Sequence, residues 1–242
     1  PMIEPLEGRI SLVEGYGIEG DKNANAHSPR QVLITRYEDS SEFSIRPGEL
    51  RENIVVRGLD ARLFIPGALI SCGESVQIRL TMYCEPCKRI GHLVSSFKEI
   101  MEKRGILVFV IKSGLIRVGD AVYIKPSVYP PLPPIPYERF LAFISQVPSG
   151  KVVTYKQVTI GMGVAESYIR AIPQYIQRTS PSTHPIHRIV DSEGNLLTNY
   201  ISDQQEKLLM EQVNVLSSDD LFGEGKQLYV DIDRYGWKDG TL

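Results

Sequence analysis

Short apolar runs separated by glycines dominate the first half of the chain. Over residues 76–82 apolar side chains alternate with polar ones, which is the period of a strand with one buried face. The pattern predicts strands over residues 9–13, 31–35, 54–57, 76–82, 106–111 and 121–124. A helical period is found at residues 88–103, whose apolar face consists of Ile90, Leu93, Val94, Phe97, Ile100 and Met101. We therefore predict a β-rich barrel with one amphipathic helix.

The second half of the chain changes to a helical pattern. Helices are predicted over residues 137–146, 155–160, 166–178 and 203–213. The second and third of these are joined by two glycines around Met162, which is the form of a helix-turn-helix. Pro173 falls inside the third helix, where proline kinks the helix unless it lies in the first turn.

A proline-rich segment separates the two patterns. Residues 129–136 contain five prolines, which favours an extended and semi-rigid spacer. The predicted organisation is a first domain over 1–128, a linker over 129–136 and a second domain over 137–242. The predicted fold class is α+β, with a β-rich barrel followed by a small helical domain.

Composition excludes several classes of protein. Of the 242 residues 42% are hydrophobic, and the net charge of -2 argues against an acidic tail or a polycation. No apolar run reaches the roughly 20 residues of a membrane helix and the start does not resemble a signal peptide, so we expect a soluble cytoplasmic protein without a membrane partner. Three cysteines are too few for a disulfide framework and are expected to be reduced thiols.

The charges of the second half are unevenly distributed. Residues 137–190 hold six Lys or Arg against two acids, whereas residues from 191 onward hold four against eleven. A nucleic-acid face is therefore expected on the first part of this domain, with an accidental asymmetry of a solvated surface as the alternative.

A glycine-rich loop is predicted after the first strand. Residues 15–20 match GxGxxG, but no helix pattern follows them, so a dinucleotide site is rejected. The loop continues with Lys22, His27 and Arg30, which could present cations and backbone N–H groups to an anion. A flexible connection between strands explains these residues equally well.

The second candidate feature is the pair Cys84 and Cys87 at the start of the predicted helix. There the helix dipole, Lys88 and Arg89 would favour the Cys87 thiolate. A zinc site and a thioredoxin-like dithiol are weak alternatives, because further ligands and the βαβ context are missing. Burial of both cysteines as small hydrophobic residues stays open.

Taken in order, these motifs resemble a molybdenum-cofactor sulfurase C-terminal (MOSC) domain over residues 8–125. The resemblance rests on residues 17–21 and 30–32, 47–54, 58–60, 66–70 and 84–87. It implies a β-rich barrel in which Cys87 carries sulfur as a persulfide or ligates the molybdenum of a pterin cofactor. The resemblance also implies that the cofactor is bound by Lys22, His27, Arg30 and Asn53.

Residues 183–190, with the sequence THPIHRIV, are the most informative part of the second half. By itself a histidine in such a segment is more often structural than functional. Together with residues 147–155, 168–172, 208–211 and 235–237, however, the segment resembles the alkylguanine-DNA alkyltransferase family over residues 137–238.

Ile186 departs from that family. An alkyltransferase has a cysteine at this position, because accepting an alkyl group requires a sulfur nucleophile. Isoleucine cannot supply one, so the domain resembles the alkyltransferase-like proteins, which bind alkylated bases without repairing them. The resemblance implies a lesion pocket that contains Tyr155, Ile186, His187 and Glu211.

The resemblance also implies DNA-binding residues. Arg170 matches the finger that fills the gap left by an extruded nucleotide, and Tyr155 matches the residue that helps to rotate it out. Lys151 and Arg188 are expected to contact phosphates.

The resulting hypothesis is a MOSC module that binds a molybdenum cofactor or carries sulfur as a persulfide, joined to a non-catalytic reader of alkylated or modified DNA bases. Any enzymatic role would be molybdenum-dependent reduction or sulfur transfer in the first half, in the context of DNA repair. The alternative is a non-enzymatic lesion sensor in which the barrel is a structural or partner-binding platform.

Overall fold

The computed structural model describes residues 8–22, 24–218 and 227–238. The chain divides into two compact units between Leu132 and Pro133. This division lies within the proline-rich segment, and each unit has its own hydrophobic core.

The first unit is built of strands around one main core. Its elements are β1 (Arg9–Val13), β2 (Gly17–Ile18), β3 (Val32–Arg36), α1 (Tyr37–Glu42), β4 (Ile54–Val56), β5 (Leu69–Cys72), β6 (Val76–Tyr83), β7 (Ile106–Lys112), β8 (Gly114–Arg117) and β9 (Val122–Lys125). Six strands form a sheet in the order β4-β3-β7-β6-β5-β9, in which only the β3–β4 pair is parallel among the described residues. Strands β2, β1 and β8 form a second, antiparallel sheet. The predicted β-rich first half is confirmed.

The central strands are buried on both faces. Ile34 and Ile78 point into the main core, whereas Leu33 packs with Cys84 and Leu107 on the opposite face, as the two-residue period of a strand requires. The prediction that β6 has one exposed face is therefore wrong. Thr81 on this strand is also buried, and its hydroxyl is satisfied there because it lies within hydrogen-bond distance of two carbonyl oxygens, including that of Pro29 at 2.6 Å.

The predicted helix over residues 88–103 is also wrong. Its first turn is a short 3-10 helix, Lys88–Ile90, and turns follow up to residue 104. Ile90 and Ile100 are nevertheless buried, in a small cluster with Ile45 and Leu50. The helical spacing of the apolar residues therefore reflects their contacts with this cluster and not a helix. The segment itself forms turns, one of which is closed by the Ser96 hydroxyl accepting from the Lys98 N–H.

The start of the proline-rich segment is bound to the first unit. Gly67 has a φ of 92°, and its carbonyl oxygen accepts hydrogen bonds from the backbone of Val128 and Tyr129. The buried guanidinium of Arg79 lies over the Tyr129 ring and donates to the Pro130 carbonyl at 2.9 Å. Residues 128–130 therefore belong to the packing of the first unit, although the sequence predicts a spacer from residue 129.

The second unit is largely helical, which confirms the predicted change of pattern. Its elements are α2 (Pro136–Ile144), β10 (Val153–Thr154), α3 (Tyr155–Gly161), α4 (Ile172–Arg178), β11 (Ile189–Val190), α5 (Gln204–Met210), β12 (Val215–Ser218), β13 (Gln227–Val230) and α6 (Ile232–Tyr235), with 3-10 helices at Glu166–Ala171 and Ile186–Arg188. No helix within the described ranges has the length and apolar character needed to cross a membrane.

The helix-turn-helix region has a definite local cause. Thr154 caps α3 through a capping box with Gln157. The predicted helix over 166–178 is two elements, a 3-10 helix and then α4, and Pro173 lies in the first turn of α4. In the first turn a proline costs no helical hydrogen bond, which resolves the conflict in the sequence pattern.

Candidate functional site

The candidate site of the second unit is built around Ile186. This residue begins the 3-10 helix Ile186–Arg188, and its side chain is buried in the core of the unit. The parallel pairing of β10 with β11 brings Thr154 opposite Val190, so the start of α3 lies beside the segment that carries Ile186. The segment is thus held by a strand on one side and by the core beneath it.

Glu211 connects the two residues that follow Ile186. Its carboxylate accepts from His187 Nε2 at 2.8 Å and from the Arg188 guanidinium at 2.6 to 3.1 Å, and it also accepts from the Gly150 N–H at 3.0 Å. Arg188 donates in addition to the Val147 carbonyl. Three segments far apart in sequence therefore meet at one carboxylate, whose side chain is 14% exposed.

The ionisation of this group follows from its hydrogen bonds. Burial by itself would raise the pKa of Glu211, but the hydrogen bonds from Arg188, His187 and Gly150 lower its pKa to about 2. Burial lowers the pKa of His187 from its ordinary value, and the bond to Glu211 opposes this only in part. At neutral pH the carboxylate is therefore charged and His187 is neutral.

This ionisation assigns the tautomer of His187. A carboxylate can only accept, so Nε2 carries the proton and Nδ1 is an acceptor. His187 Nδ1 is buried and has no hydrogen-bond partner among the described residues. The ring therefore keeps one acceptor available beside Ile186.

Gln204 also positions the segment that carries Ile186, and it was not predicted from the sequence. Its side-chain amide is fully buried and donates to the carbonyl oxygens of His187 and Ile189, while its oxygen accepts from the Leu197 N–H. A polar residue at the start of an apolar helical face is the sequence signal that could have indicated it.

Among the predicted DNA-binding residues, Arg170 is exposed at the end of the 3-10 helix Glu166–Ala171. Tyr155 is the first residue of α3 and is half-buried, and burial raises its pKa to about 12. Lys151 is partly buried and lies next to Gly150. Arg188 differs from these residues, because it is bound in the ion pair with Glu211 and its side chain is only 15% exposed.

The first unit brings a different set of residues together. Burial raises the pKa of the Cys84 thiol, and the nearby charges of Arg104 and Arg30 partly oppose this. Arg104 is itself buried, donates to the Glu85 carbonyl, and has an Nε atom without a hydrogen-bond partner among the described residues. Cys87 is partly exposed. Because only a three-residue 3-10 helix follows Cys87, the predicted long helix whose dipole would favour the thiolate is wrong, and the contribution of Lys88 and Arg89 stays a prediction.

The predicted glycine-loop residues lie near the parallel pair β3–β4. Asn53 accepts from the Leu33 N–H at 2.9 Å and donates to Asp21 at 3.3 Å, next to the exposed Lys22. His27 is buried with a φ of 65°, whereas Arg30 is exposed. Within the part of the chain that the structure describes, no three His, Cys, Asp or Glu side chains are grouped so as to hold a metal ion.

Comparison with known families assigns each half of the chain. The model of the MOSC domain matches residues 24–123. The model described as 6-O-methylguanine DNA methyltransferase, DNA binding domain, matches residues 136–213. No curated protein matches the chain.

Solved structures give weaker similarities. S. pombe Atl1, solved in complex with damaged DNA containing O6-carboxymethylguanine, is 26% identical over 43% of this chain and 94% of its own, with a TM-score of 0.38. YiiM from Escherichia coli is 16% identical over 74% of this chain and 92% of its own, with a TM-score of 0.40. The YUAD protein from Bacillus subtilis is 20% identical over 48% of this chain and 84% of its own, with a TM-score of 0.40.

The two family matches follow each other along the chain without overlap, and they agree with the β-rich and helical units. The chain therefore joins a region, residues 24–123, that matches the MOSC domain to a region, residues 136–213, that matches the DNA-binding domain of the 6-O-methylguanine DNA methyltransferases.

Proposed function

We propose that the second unit binds DNA that contains an alkylated or otherwise modified base and does not remove the modification. One observation carries the proposal. The His187–Glu211 pair is present at 2.8 Å beside a buried Ile186, so the partner groups of the family's nucleophile are held in place while the nucleophile itself is a hydrocarbon. The matched family model and the DNA complex of S. pombe Atl1 support DNA as the ligand.

The direct test is a binding and transfer assay on one protein. The full chain is titrated by fluorescence anisotropy with duplexes that differ only in one O6-methylguanine, and the protein is then weighed by mass spectrometry. We expect tighter binding of the methylated duplex and no methyl group on the protein. Equal affinity for both duplexes would contradict lesion reading, and a methylated protein would contradict the absence of transfer.

Ile186→Cys sharpens this test. The substitution places a thiol beside His187, whose neutral ring can take up a proton. We expect this variant to acquire a methyl group from the methylated duplex, and Ile186→Val, which removes a similar part of the buried side chain without adding sulfur, to acquire none.

For DNA contact we propose Arg170, Tyr155 and Lys151. Arg170 is exposed, so Arg170→Ala is expected to weaken DNA binding at low salt while leaving the fold intact. Arg234→Ala is the matched control, since Arg234 is equally exposed and lies over Tyr235 on α6. Arg188 is not included, because its guanidinium is bound to Glu211.

For the first unit we propose that Cys87 carries sulfur as a persulfide or ligates the molybdenum of a pterin cofactor. The residues present fit such a group: Cys87 offers a soft thiolate, and the spare Nε of the buried Arg104 suits an anionic group. Arg30, Lys22, His27 and Asn53 are the further candidates for holding the cofactor. When bound, a molybdenum pterin supplies two-electron redox chemistry.

The alternative is a barrel that serves only as a structural or partner-binding platform beside a lesion sensor. It is favoured by the missing helix after Cys87, which removes one physical reason for a reactive thiolate. Elemental and mass analysis of natively isolated protein separates the two. Molybdenum or a persulfide that is lost in Cys87→Ser supports the first, and neither in the wild-type chain supports the second.

A further inference from the structure

The first unit contains a cavity whose lining does not include Cys87, although it includes Asn53, one of the candidates for holding the cofactor. Its volume is about 490 Å³, within the roughly 300–1,000 Å³ typical of small-ligand sites. The apolar lining that is at least partly exposed comes from both sheets and consists of Ile10, Ile54, Val55 and Val122 among others, whereas Ile34, Ile70 and Ile78, which also line the cavity, are at most 1% exposed. A cavity of this size and lining can take up the apolar body of a small molecule.

The cavity lies on the other face of the sheet from Cys84. Ile34 lines the cavity, whereas the adjacent Leu33 packs against Cys84. Successive side chains of a strand point to opposite faces, so β3 separates the cavity from the surroundings of Cys84. A ligand in the cavity is therefore separated from the Cys84 thiol by β3.

The rim of the cavity is cationic. Arg9, Arg57 and Arg117 line it, and the acid that lines it with them is Asp120. Arg9 and Arg117 are directly opposite each other in the β1–β8 pair, where two like charges are unfavourable. None of the three arginines forms an ion pair with another described residue, although Arg57 lies over the Tyr37 ring and its charge acts on Glu38.

We propose that this cavity binds a small amphipathic organic anion, with its apolar body in the interior and a carboxylate at the rim. Burial of the apolar body removes hydrocarbon surface from water. The carboxylate separates the opposed charges of Arg9 and Arg117 and accepts charge-assisted hydrogen bonds from them. A neutral or cationic molecule with the same apolar body gains only the free energy of burying that body and makes no ion pair with the arginines.

The test uses three probes that share one hydrocarbon tail: decanoate, decanol and decyltrimethylammonium. Binding to the full chain is measured by isothermal titration calorimetry below the concentration at which the probes aggregate. We expect decanoate to bind at one equivalent and at least about tenfold more tightly than the other two, with an affinity that falls as salt is added. Equal binding of all three probes, or no binding of decanoate, overturns the proposal.

Two variants locate the site. Arg9→Gln combined with Arg117→Gln changes exposed side chains, so the fold is kept, and decanoate affinity is expected to fall about tenfold. Val122→Phe fills the cavity from the edge strand β9 and is expected to weaken binding of every probe. Arg46→Gln is the control, because Arg46 is exposed and paired with Glu49 away from the cavity lining.

Other occupants give distinct results. If decanoate saturates the protein at less than one equivalent, and this stoichiometry changes with protein concentration, a second copy of the chain covers the cavity. That result would overturn the proposal. The proposal is also overturned if decanoate affinity is unchanged both in the Arg9→Gln, Arg117→Gln double variant and in Val122→Phe while both unfold thermally like the wild type, because the ligand would then bind elsewhere.

Discussion

His187 and Glu211 are joined by a hydrogen bond of 2.8 Å although 24 positions separate them in the chain. The same carboxylate holds Arg188, so one acid fixes two consecutive residues of the segment that begins with Ile186. Because the carboxylate also accepts from the Gly150 N–H, it connects three segments of the second unit and supports its fold.

Removal of the Glu211 charge should destabilise the second unit. At pH 7 we expect Glu211→Gln to lower the free energy of unfolding by about 3 kcal/mol, because Arg188 would remain buried without its counter-charge. Chemical denaturation measures the change. Asp203→Asn is the control: Asp203 also pairs with a cation, Lys207, but is 43% exposed, and loss of its charge should lower the free energy of unfolding by much less than Glu211→Gln does.

The same carboxylate predicts an acid-sensitive component of stability. The pKa of Glu211 is about 2 in the folded chain against an ordinary value of 4.5, so the unfolded chain binds the proton more readily. The stabilisation is complete above pH 4.5 and is lost as the pH falls toward 2. The slope of stability against pH in this window should be smaller in Glu211→Gln than in the wild type, and equal slopes would refute the assignment.

Gly161 at the end of α3 allows close packing against the ring of Phe143. A Cβ atom at this position would overlap the ring, so we expect Gly161→Ala to lower the free energy of unfolding by about 3 kcal/mol and to weaken DNA binding. Addition of Phe143→Leu should recover part of the loss, because the smaller side chain leaves space for the methyl group. If the two substitutions have additive effects on thermal unfolding, the contact is not the cause.

The placement of Pro173 in the first turn of α4 predicts that this proline is harmless. Pro173→Ala is expected to change the free energy of unfolding by no more than about 1 kcal/mol. A proline at Gln177, which is exposed near the end of the same helix, should cost about 3 kcal/mol because it removes a helical hydrogen bond. Similar costs for both changes would contradict the start of α4 at Ile172.

The three cysteines should differ in reactivity. Burial raises the pKa of Cys72 and of Cys84, whereas Cys87 is partly exposed. We expect iodoacetamide at pH 7 to label Cys87 faster than the other two, since burial of Cys72 and Cys84 both shields the sulfur from the reagent and raises the pKa of the thiol. Peptide mapping by mass spectrometry measures the order, and Cys87→Ser should remove the fast phase. Labelling of Cys84 first would contradict its burial.

Features set by short-range pattern were predicted well from the sequence. Strand β1 was predicted with its observed bounds, and the other predicted strands begin or end within one residue of those observed. Local periodicity and turn residues specify such elements. In the first unit the sequence missed β2, β5 and β8, which are short and take their conformation from pairing with neighbours.

Features that depend on remote contacts were not predicted. The apolar residues of 88–103 have a helical period, but they pack against Ile45 and Leu50 from turns, and the sequence does not contain the position of that cluster. Thr81 was expected at a surface, yet the loop around Pro29 covers it.

The sequence by itself determined that the chain joins a β-rich half to a helical half, and that no sulfur is present at position 186. Both follow from residue types and their spacing. Only the tertiary structure decided that Arg188 pairs with Glu211 instead of facing solvent, that Pro173 begins a helix, and that a cavity with a cationic rim lies behind β3. These depend on distances between residues far apart in the chain, which packing sets and local pattern does not.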